Sequence, residues 1–199
     1  MCYNIGSIYC SLYLIREGII ILNKQDIINL ALVKIGNMPK TEITEPYLNL
    51  TYNTGKSFLL GRHYWRFAKT ITELSINGNI TTPSWAYTYR LPTNIGYIFD
   101  TVPHTKYDIF GTNLVSNTTP LSLEYSAIDI DDSFPSDFGL LLSSWIAKEI
   151  ITVVKVGADV GLYTILNNQY KEMFLDTIGT DSTMIPSLEF RSNRYIDVR

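Results

Sequence analysis

The chain has 199 residues, a formal net charge of -3 and only 18% charged residues. That length suits one domain able to bury about 70% of the surface its unfolded form exposes, so it needs no metal or disulfide staple. Its 16 basic residues are scattered among 19 acidic ones, which argues against nucleic acid as the main ligand, because grip on phosphates needs clustered Lys and Arg.

Aromatic residues make up 13% of the chain and 14 of them are Tyr. A sparsely charged, Tyr-rich surface suits a protein covered by partners, since Tyr offers an apolar ring and a polar tip. A coding bias toward Ile, Asn, Tyr and Lys gives the same composition. Cys2 and Cys10 both lie near the N-terminus. Their spacing is not CxxC and no Cys/His pair completes a zinc site, so the chain is expected in a reducing compartment.

Residues 1–22 read as an N-terminal extension. They lack a basic opening region, and Arg16-Glu17 interrupts the apolar stretch, so a signal peptide is not expected. Ile19-Ile20-Ile21-Leu22 is too short to span a bilayer, and no membrane association is expected.

A helix is predicted from Asn23 to Gly36. Asn23 is the N-cap, Asp26 favours the positive helix start, and Ile27, Ile28, Leu30, Ala31, Leu32 and Ile35 form the apolar stripe. Gly36-Asn37 and Pro39 end it. A second helix is predicted from Thr44 to Trp65, with Pro46 in its first turn and Gly55 and Gly61 weakening its continuity.

Over 66–128 the apolar period changes to two. Trp85, Tyr87, Tyr89 and Leu91 alternate with Ala86, Thr88 and Arg90, and Leu121, Leu123 and Tyr125 alternate with Ser122, Glu124 and Ser126. Tyr97-Ile98-Phe99 and Tyr107-Asp108-Ile109 read as further short strands, separated by Gly-, Pro- and Asn-rich turns. An antiparallel β layer with one wet and one packed face is expected.

After Pro135 the helical period returns. Phe138, Leu141, Leu142, Trp145, Ile146, Ile150, Val153 and Val154 form one stripe ending at Gly157. Tyr163, Leu166, Tyr170, Phe174 and Ile178 form the next, over 159–178. The short break implies an antiparallel helical hairpin over 135–178. The fold class is therefore α+β: a helical bundle built from both ends of the chain with an inserted antiparallel β layer. The domain is expected to cover 23–180, followed by a tail over 181–199 that carries Arg191, Arg194 and Arg199. Few apolar anchors and three arginines in the tail lead to the expectation that it orders on a partner.

No catalytic constellation stands out, and the chain is not expected to be an enzyme or to hold a cofactor or metal. The two histidines, His63 and His104, belong to no HxH, HExxH or GxSxG pattern. His63 reads as packed among aromatics, and His104 as exposed in a turn. Asp129-Ile130-Asp131-Asp132 has the carboxylate density of a cation loop but lacks the EF-hand glycine and glutamate, so a solvated loop before a helix is expected. No GxGxxG or Walker loop occurs. The row Trp85, Tyr87, Tyr89 can be read as a stacking platform for sugars or bases if it faces solvent, and otherwise as a core or subunit-interface row.

The order of motifs resembles the tail tubular protein A family of short-tailed bacteriophages, the adaptor or gatekeeper ring of podoviruses. Leu22-Asn-Lys-Gln-Asp-Ile-Ile-Asn-Leu-Ala-Leu-Val-Lys-Ile-Gly36 is similar to that family's first helix. Leu60-Gly-Arg-His-Tyr-Trp-Arg-Phe-Ala68 is similar to its helix-to-strand junction, and Tyr87-Thr-Tyr-Arg-Leu-Pro92 to its Tyr-x-Leu-Pro strand end. Tyr107-Asp-Ile-Phe-Gly111, Leu121-Ser-Leu-Glu-Tyr125 and Phe134-Pro-Ser-Asp-Phe138 follow in the same order. The resemblance covers about residues 22–180. It departs at Thr93, where the family has Asp, and it gives no guide to either end.

The resemblance implies a homo-oligomeric ring, expected to be a dodecamer, between the portal protein and the tail nozzle protein. DNA would pass through its lumen without sequence-specific binding. It implies a virion protein of the tail neck, assembled in the bacterial cytoplasm, with no catalytic residue. Interface candidates are Trp85, Tyr87, Tyr89, Arg191, Arg194 and Arg199. The alternative reading is an aromatic-strand binding module, for glycan or protein, on a phage or prophage particle.

Overall fold

A computed structural model of the chain describes residues 20–36, 45–78, 84–154 and 160–183. Cys2, Cys10, Thr44, Gly157, Arg191, Arg194 and Arg199 lie outside these residues, as do most of the N-terminal extension and of the tail. The described part is α+β, with helices at both ends and antiparallel strands between.

A short strand β1 (Ile21–Asn23) leads into α1 (Lys24–Lys34). Asn23 Oδ1 accepts from the Asp26 N–H at 3.0 Å, and Asp26 Oδ2 accepts from the Asn23 N–H at 3.3 Å. This capping box satisfies two of the orphan donors at the helix start. Gly36, at φ +75°, ends the turn after α1.

The second helix, α2 (Glu45–Leu60), stops five residues before the expected Trp65. The Gly61 N–H bonds to Ser57 O and the Arg62 N–H to Leu59 O, both at 3.1 Å, which closes the last turn. The Trp65 indole N–H then takes Leu59 O at 2.7 Å, so the chain folds back and buries the ring. Helical continuation would carry Trp65 away from that carbonyl. Gly55 does not interrupt α2. An added Cβ there would stand 2.5 Å from Trp145 Cε3, so the glycine lets a neighbouring helix approach.

A 3-10 turn (Arg66–Ala68) leads into β2 (Lys69–Glu73). Next come β3 (Tyr87–Arg90), β4 (Ile95–Val102), β5 (Tyr107–Phe110), β6 (Asn113–Ser116) and β7 (Ser122–Ala127). These form two three-stranded antiparallel sheets, ordered β2-β7-β4 and β3-β6-β5, in place of one layer. Leu123, Tyr125 and Ile98 from the first sheet pack with Tyr89 and Leu114 from the second, making a β core separate from the helical one.

The expected wet face of β7 is also buried: Ser126 is fully inaccessible and Glu124 is nearly so. The Tyr64-Trp65 segment covers that face, with the Trp65 N–H donating to Ser126 Oγ at 3.2 Å. Alternation in sequence marks two chemically different faces, but it does not show that the polar one meets water.

The strand β8 (Ser133–Pro135) pairs with β1, a contact too short to give a period in the sequence. It runs directly into α3 (Ser136–Val154), and α4 (Val160–Thr183) follows. Ser144 meets Met173 and Lys148 lies over the Tyr170 ring, so the two helices run in opposite senses. Val153 is exposed, against its expected place in the stripe. Helix α4 continues five residues past the expected Ile178, and Asp181 near its end bonds to His63 at 3.1 Å.

The helical core joins α1, α2, α3 and α4 around Tyr52, Leu59, Trp65, Phe134, Phe138 and Ile146. Phe138 meets Trp65 edge-on at 5.0 Å and Phe67 at 4.9 Å. Such ring pairs add about 0.5–1.5 kcal/mol each beyond the area they bury.

A lysine without an acidic partner among these contacts enters this helical layer. The Lys34 ammonium donates to Leu140 O at 3.2 Å and Ser143 Oγ at 2.9 Å, and also to Ser144 Oγ. None of these partners is a carboxylate. Burial pulls the Lys34 pKa down to about 8. Between that value and 10.5 the unfolded chain holds the proton and the folded chain does not, so stability rises with pH through the window. Urea midpoints from pH 8 to pH 10 are expected to rise more for the wild type than for Lys34→Met. Parallel pH profiles would show that Lys34 is not desolvated.

Candidate functional site

The pairing of β2, β7 and β4 sets three rows on the outer face of their sheet. Lys69, Ser126 and Tyr97 align, as do Ile71, Glu124 and Asp100, and Glu73, Ser122 and Val102. A register shift between Ile98 and Asp100 puts Phe99 beside Asp100 on this same face. Ile71, Tyr97, Phe99 and Val102 are each 40–55% exposed, so apolar side chains stand around the part of this face that Tyr64 and Trp65 cover.

A buried acid lies within it. Glu124 accepts from the Tyr64 hydroxyl and pairs with the Lys69 ammonium. The Tyr64 ring stacks on Phe99 with centroids 4.1 Å apart, which fixes the phenol above the carboxylate. Burial pushes Glu124 toward the neutral form, but the hydrogen bonds from Lys69 and Tyr64 outweigh it and hold its pKa below the usual range. Lys69 is raised, first by its bond to Glu124 and then by its bond to Tyr64. Tyr64 is pushed up to about 12, by burial first and by the Glu124 bond second. Lys69 and Glu124 are each shifted toward their charged forms, so the two make an ionic contact, and the Tyr64 phenol beside them stays protonated.

This gives an acid-side prediction. The folded state holds the Glu124 proton less tightly than the unfolded chain, whose reference value is 4.5. Its stabilising contribution is therefore present above that value and is lost as pH falls through the depressed folded value. Glu124→Gln is expected to lower stability at pH 7 and to flatten the fall in urea midpoint below pH 4.5. An unchanged acid profile would remove Glu124 from the account.

At the end of the same face, the His104 ring nitrogen Nδ1 lies 2.8 Å from Asp100 Oδ2, and the His104 side chain is 86% exposed. Burial raises the Asp100 pKa, but the bonds from His104 and the Thr101 N–H outweigh this and lower it. His63 packs edge-on against Trp65 at 4.8 Å and bonds to Asp181. Both histidines thus have structural partners.

The acidic run does not converge. Asp129 accepts from Asn94 Nδ2 and Asp132 pairs with Lys56, each at 2.8 Å. Lys56 also donates to Ile130 O, and together these contacts pin the loop to α2 and to the loop before β4. Among the described residues, no three His, Cys, Asp or Glu side chains gather to hold a metal ion. The Tyr52 hydroxyl is buried near this loop without a well-formed hydrogen bond. Burial, then the Asp132 charge, raises its pKa.

The aromatic row is not one exposed platform. Tyr89 is fully buried in the β core, and its hydroxyl donates to Thr118 O at 2.6 Å. Trp85 and Tyr87 are half-buried. Tyr89 is therefore a core residue and offers no surface to a glycan or to another subunit. The sequence reading missed Tyr64, Lys69, Phe99 and Asp100 as one site. The single available signal was Glu124 in an otherwise Ser- and apolar-rich strand.

An apolar cleft of about 380 Å³ opens between the Leu91–Thr93 loop and the β5–β6 hairpin, lined by Ile95, Ile98 and Ile109. Arg90 is its one ionisable lining residue, so it holds no acid–base pair. Among the described residues no helix is long and apolar enough to cross a membrane. No protein-family model matches the chain, and no significant match was found among curated proteins. The functional reading therefore rests on the residues and their geometry.

Proposed function

We propose that this protein is a structural subunit of a bacteriophage head-to-tail connector, forming a ring between portal and tail nozzle through which DNA passes. The finer architecture belongs to the same reading: a helical bundle built from both ends of the chain, with the β sheets inserted as a projecting layer. The observation that carries it is apolar exposure on separate elements. Ile71, Phe99 and Val102 lie on one sheet, Ile109 and Phe110 on the other, and Val160, Ile165 and Leu175 on α4.

A ring is closed by one heterologous interface repeated around an axis, so each subunit needs two unlike surfaces for its neighbours and further ones for the layers above and below. Apolar patches on several sides meet that need. The ion pairs on the candidate face, Lys69 with Glu124 and His104 with Asp100, are formed within the chain. A sparsely charged wall suits DNA that slides past without being gripped. Assembly takes place in the bacterial cytoplasm and the product resides in the virion neck.

Light scattering on the purified chain, alone and with the portal protein of the same genome, tests the reading. A ring-sized oligomer is expected, at least with portal present. Ile109→Asp combined with Phe110→Asp should weaken assembly without changing the circular dichroism of the subunit. A monomer that ignores portal under every condition contradicts the proposal.

A further inference from the structure

We propose that copies of this chain join head to tail through an outward ridge of α4, centred on Leu175, which enters the apolar cleft beside Arg90 on the next copy. The inference rests on the part of the connector reading that makes the chain a repeating oligomer, and it adds which two surfaces meet.

Three observations carry it. The first is a knob and a hole on separate parts of the subunit. Leu175 is 71% exposed and Ile165 is 54% exposed. Ile165, Glu172, Leu175, Asp176 and Gly179 fall within one arc of about 100° on α4, a ridge about 20 Å long. The cleft of about 380 Å³, walled by Ile95, Ile98 and Ile109, has room for a leucine side chain and part of the helical turn that carries it. Exposed Phe110 extends its apolar rim. Helix α4 makes its main contacts with α3, whereas strands and their loops build the cleft. One copy can therefore fill its neighbour's cleft while its own stays open to the next, which is the form of contact that propagates around an axis.

The second is charge. Glu172 stands three residues before Leu175 and Asp176 one after it, and neither forms an ion pair among the described residues. Arg90 lines the cleft and is likewise without an ion pair among the described residues. Lys171 stands at the opposite edge of the ridge from the two acids. Seating Leu175 in the cleft brings two uncommitted carboxylates toward one uncommitted guanidinium. The opposite signs set the register, while the apolar contact supplies most of the affinity.

The third is Gly179. It lies inside α4, where glycine is a poorer helix former than any residue but proline. A Cβ there would meet nothing within 4 Å, so packing within the described residues does not call for a glycine. One turn beyond Leu175 on the same ridge, it lets the rim of a neighbour's cleft come close to the α4 backbone.

Photo-cross-linking of the full-length chain, alone and with the portal protein of the same genome, tests the contact. p-Benzoylphenylalanine replaces the exposed Leu175. Equal amounts of unlabelled and 15N-labelled chain are mixed dilute, concentrated, irradiated, digested and read by mass spectrometry. The expected product joins position 175 to a peptide from 90–98 or 109–112, with both isotopes present in roughly half of the products, as random pairing of copies requires. Arg90→Glu should lower its yield several-fold, and Arg90→Glu combined with Glu172→Arg and Asp176→Arg should restore it. Gly179→Leu should raise the urea midpoint of the subunit and yet lower the yield several-fold. Products that never mix isotopes, products on another segment or on the portal, or an Arg90→Glu chain that cross-links like the wild type would overturn the proposal. Light scattering on the same samples separates this from the connector reading: an oligomer with its cross-links elsewhere overturns the contact alone, whereas a monomer under every condition overturns both.

Discussion

Replacing Trp65 by Ala is expected to cost about 3–5 kcal/mol, enough to consume much of the stability of a domain this size. The residue is 1% exposed, among the largest fully buried side chains of the described residues. It meets Phe138, His63 and Phe67 at centroid distances of 5.0, 4.8 and 6.0 Å. The indole N–H satisfies Leu59 O at the end of α2, and the Trp65 backbone N–H satisfies Ser126 on β7. Truncation therefore leaves a cavity, frees a carbonyl and loosens the joint between helices and sheet. Urea unfolding followed by both far-ultraviolet circular dichroism and fluorescence measures the loss. A cost below about 1 kcal/mol would mean that Trp65 is not the joint described.

The second large effect is expected at Gly55. Helix propensity alone predicts that Gly55→Ala stabilises α2 by about 1 kcal/mol. Packing predicts the opposite. The new Cβ would stand 2.5 and 2.7 Å from Trp145 ring carbons and 2.9 Å from Leu142 Cδ1. Trp145 is 7% exposed, tilts against Phe58 at 5.9 Å and has the Lys148 ammonium 5.8 Å from its ring, so it cannot swing aside freely. Overpacking costs about 1–3 kcal/mol and wins over propensity. Gly55→Ala should destabilise, and Gly55→Val should destabilise further because its branched side chain adds bulk against the same ring. A stabilised Ala variant would contradict the close approach of α2 and α3.

Elements with long, strongly periodic signals were the readable part of this chain. The Asn23 cap and the apolar stripe after it locate the start of α1 to within one residue and its end to within two, because capping and core burial act on the same short segment. The α+β order also follows from the change of period between the ends and the middle. What failed depended on contacts between distant residues. The end of α2 is set by an indole reaching back to Leu59, and no property of residues 61–65 taken alone announces that bond. The splitting of the β layer into two sheets depends on which short strands pair, and alternation is silent on pairing.

The candidate face was the least readable feature. Glu124 looked like a solvent-facing residue of β7, and only the fold brings Tyr64 and Lys69 to it. Phe99 and Asp100 share that face because of a register shift, which breaks the strict alternation a sequence reading relies on. The row Trp85, Tyr87, Tyr89 was visible as aromatic, but burial of Tyr89 was decided by the opposing sheet.

The central proposal is that this chain serves as a ring subunit of a phage neck. Electron microscopy of the full-length protein mixed with the portal protein from the same genome tests it most directly. The account predicts a closed ring of this chain seated on the narrow end of the portal, with β-sheet surfaces such as Ile109–Phe110 buried between neighbouring densities. Bare portal particles beside a monodisperse monomer of this chain, at concentrations well above those of assembly, would contradict it.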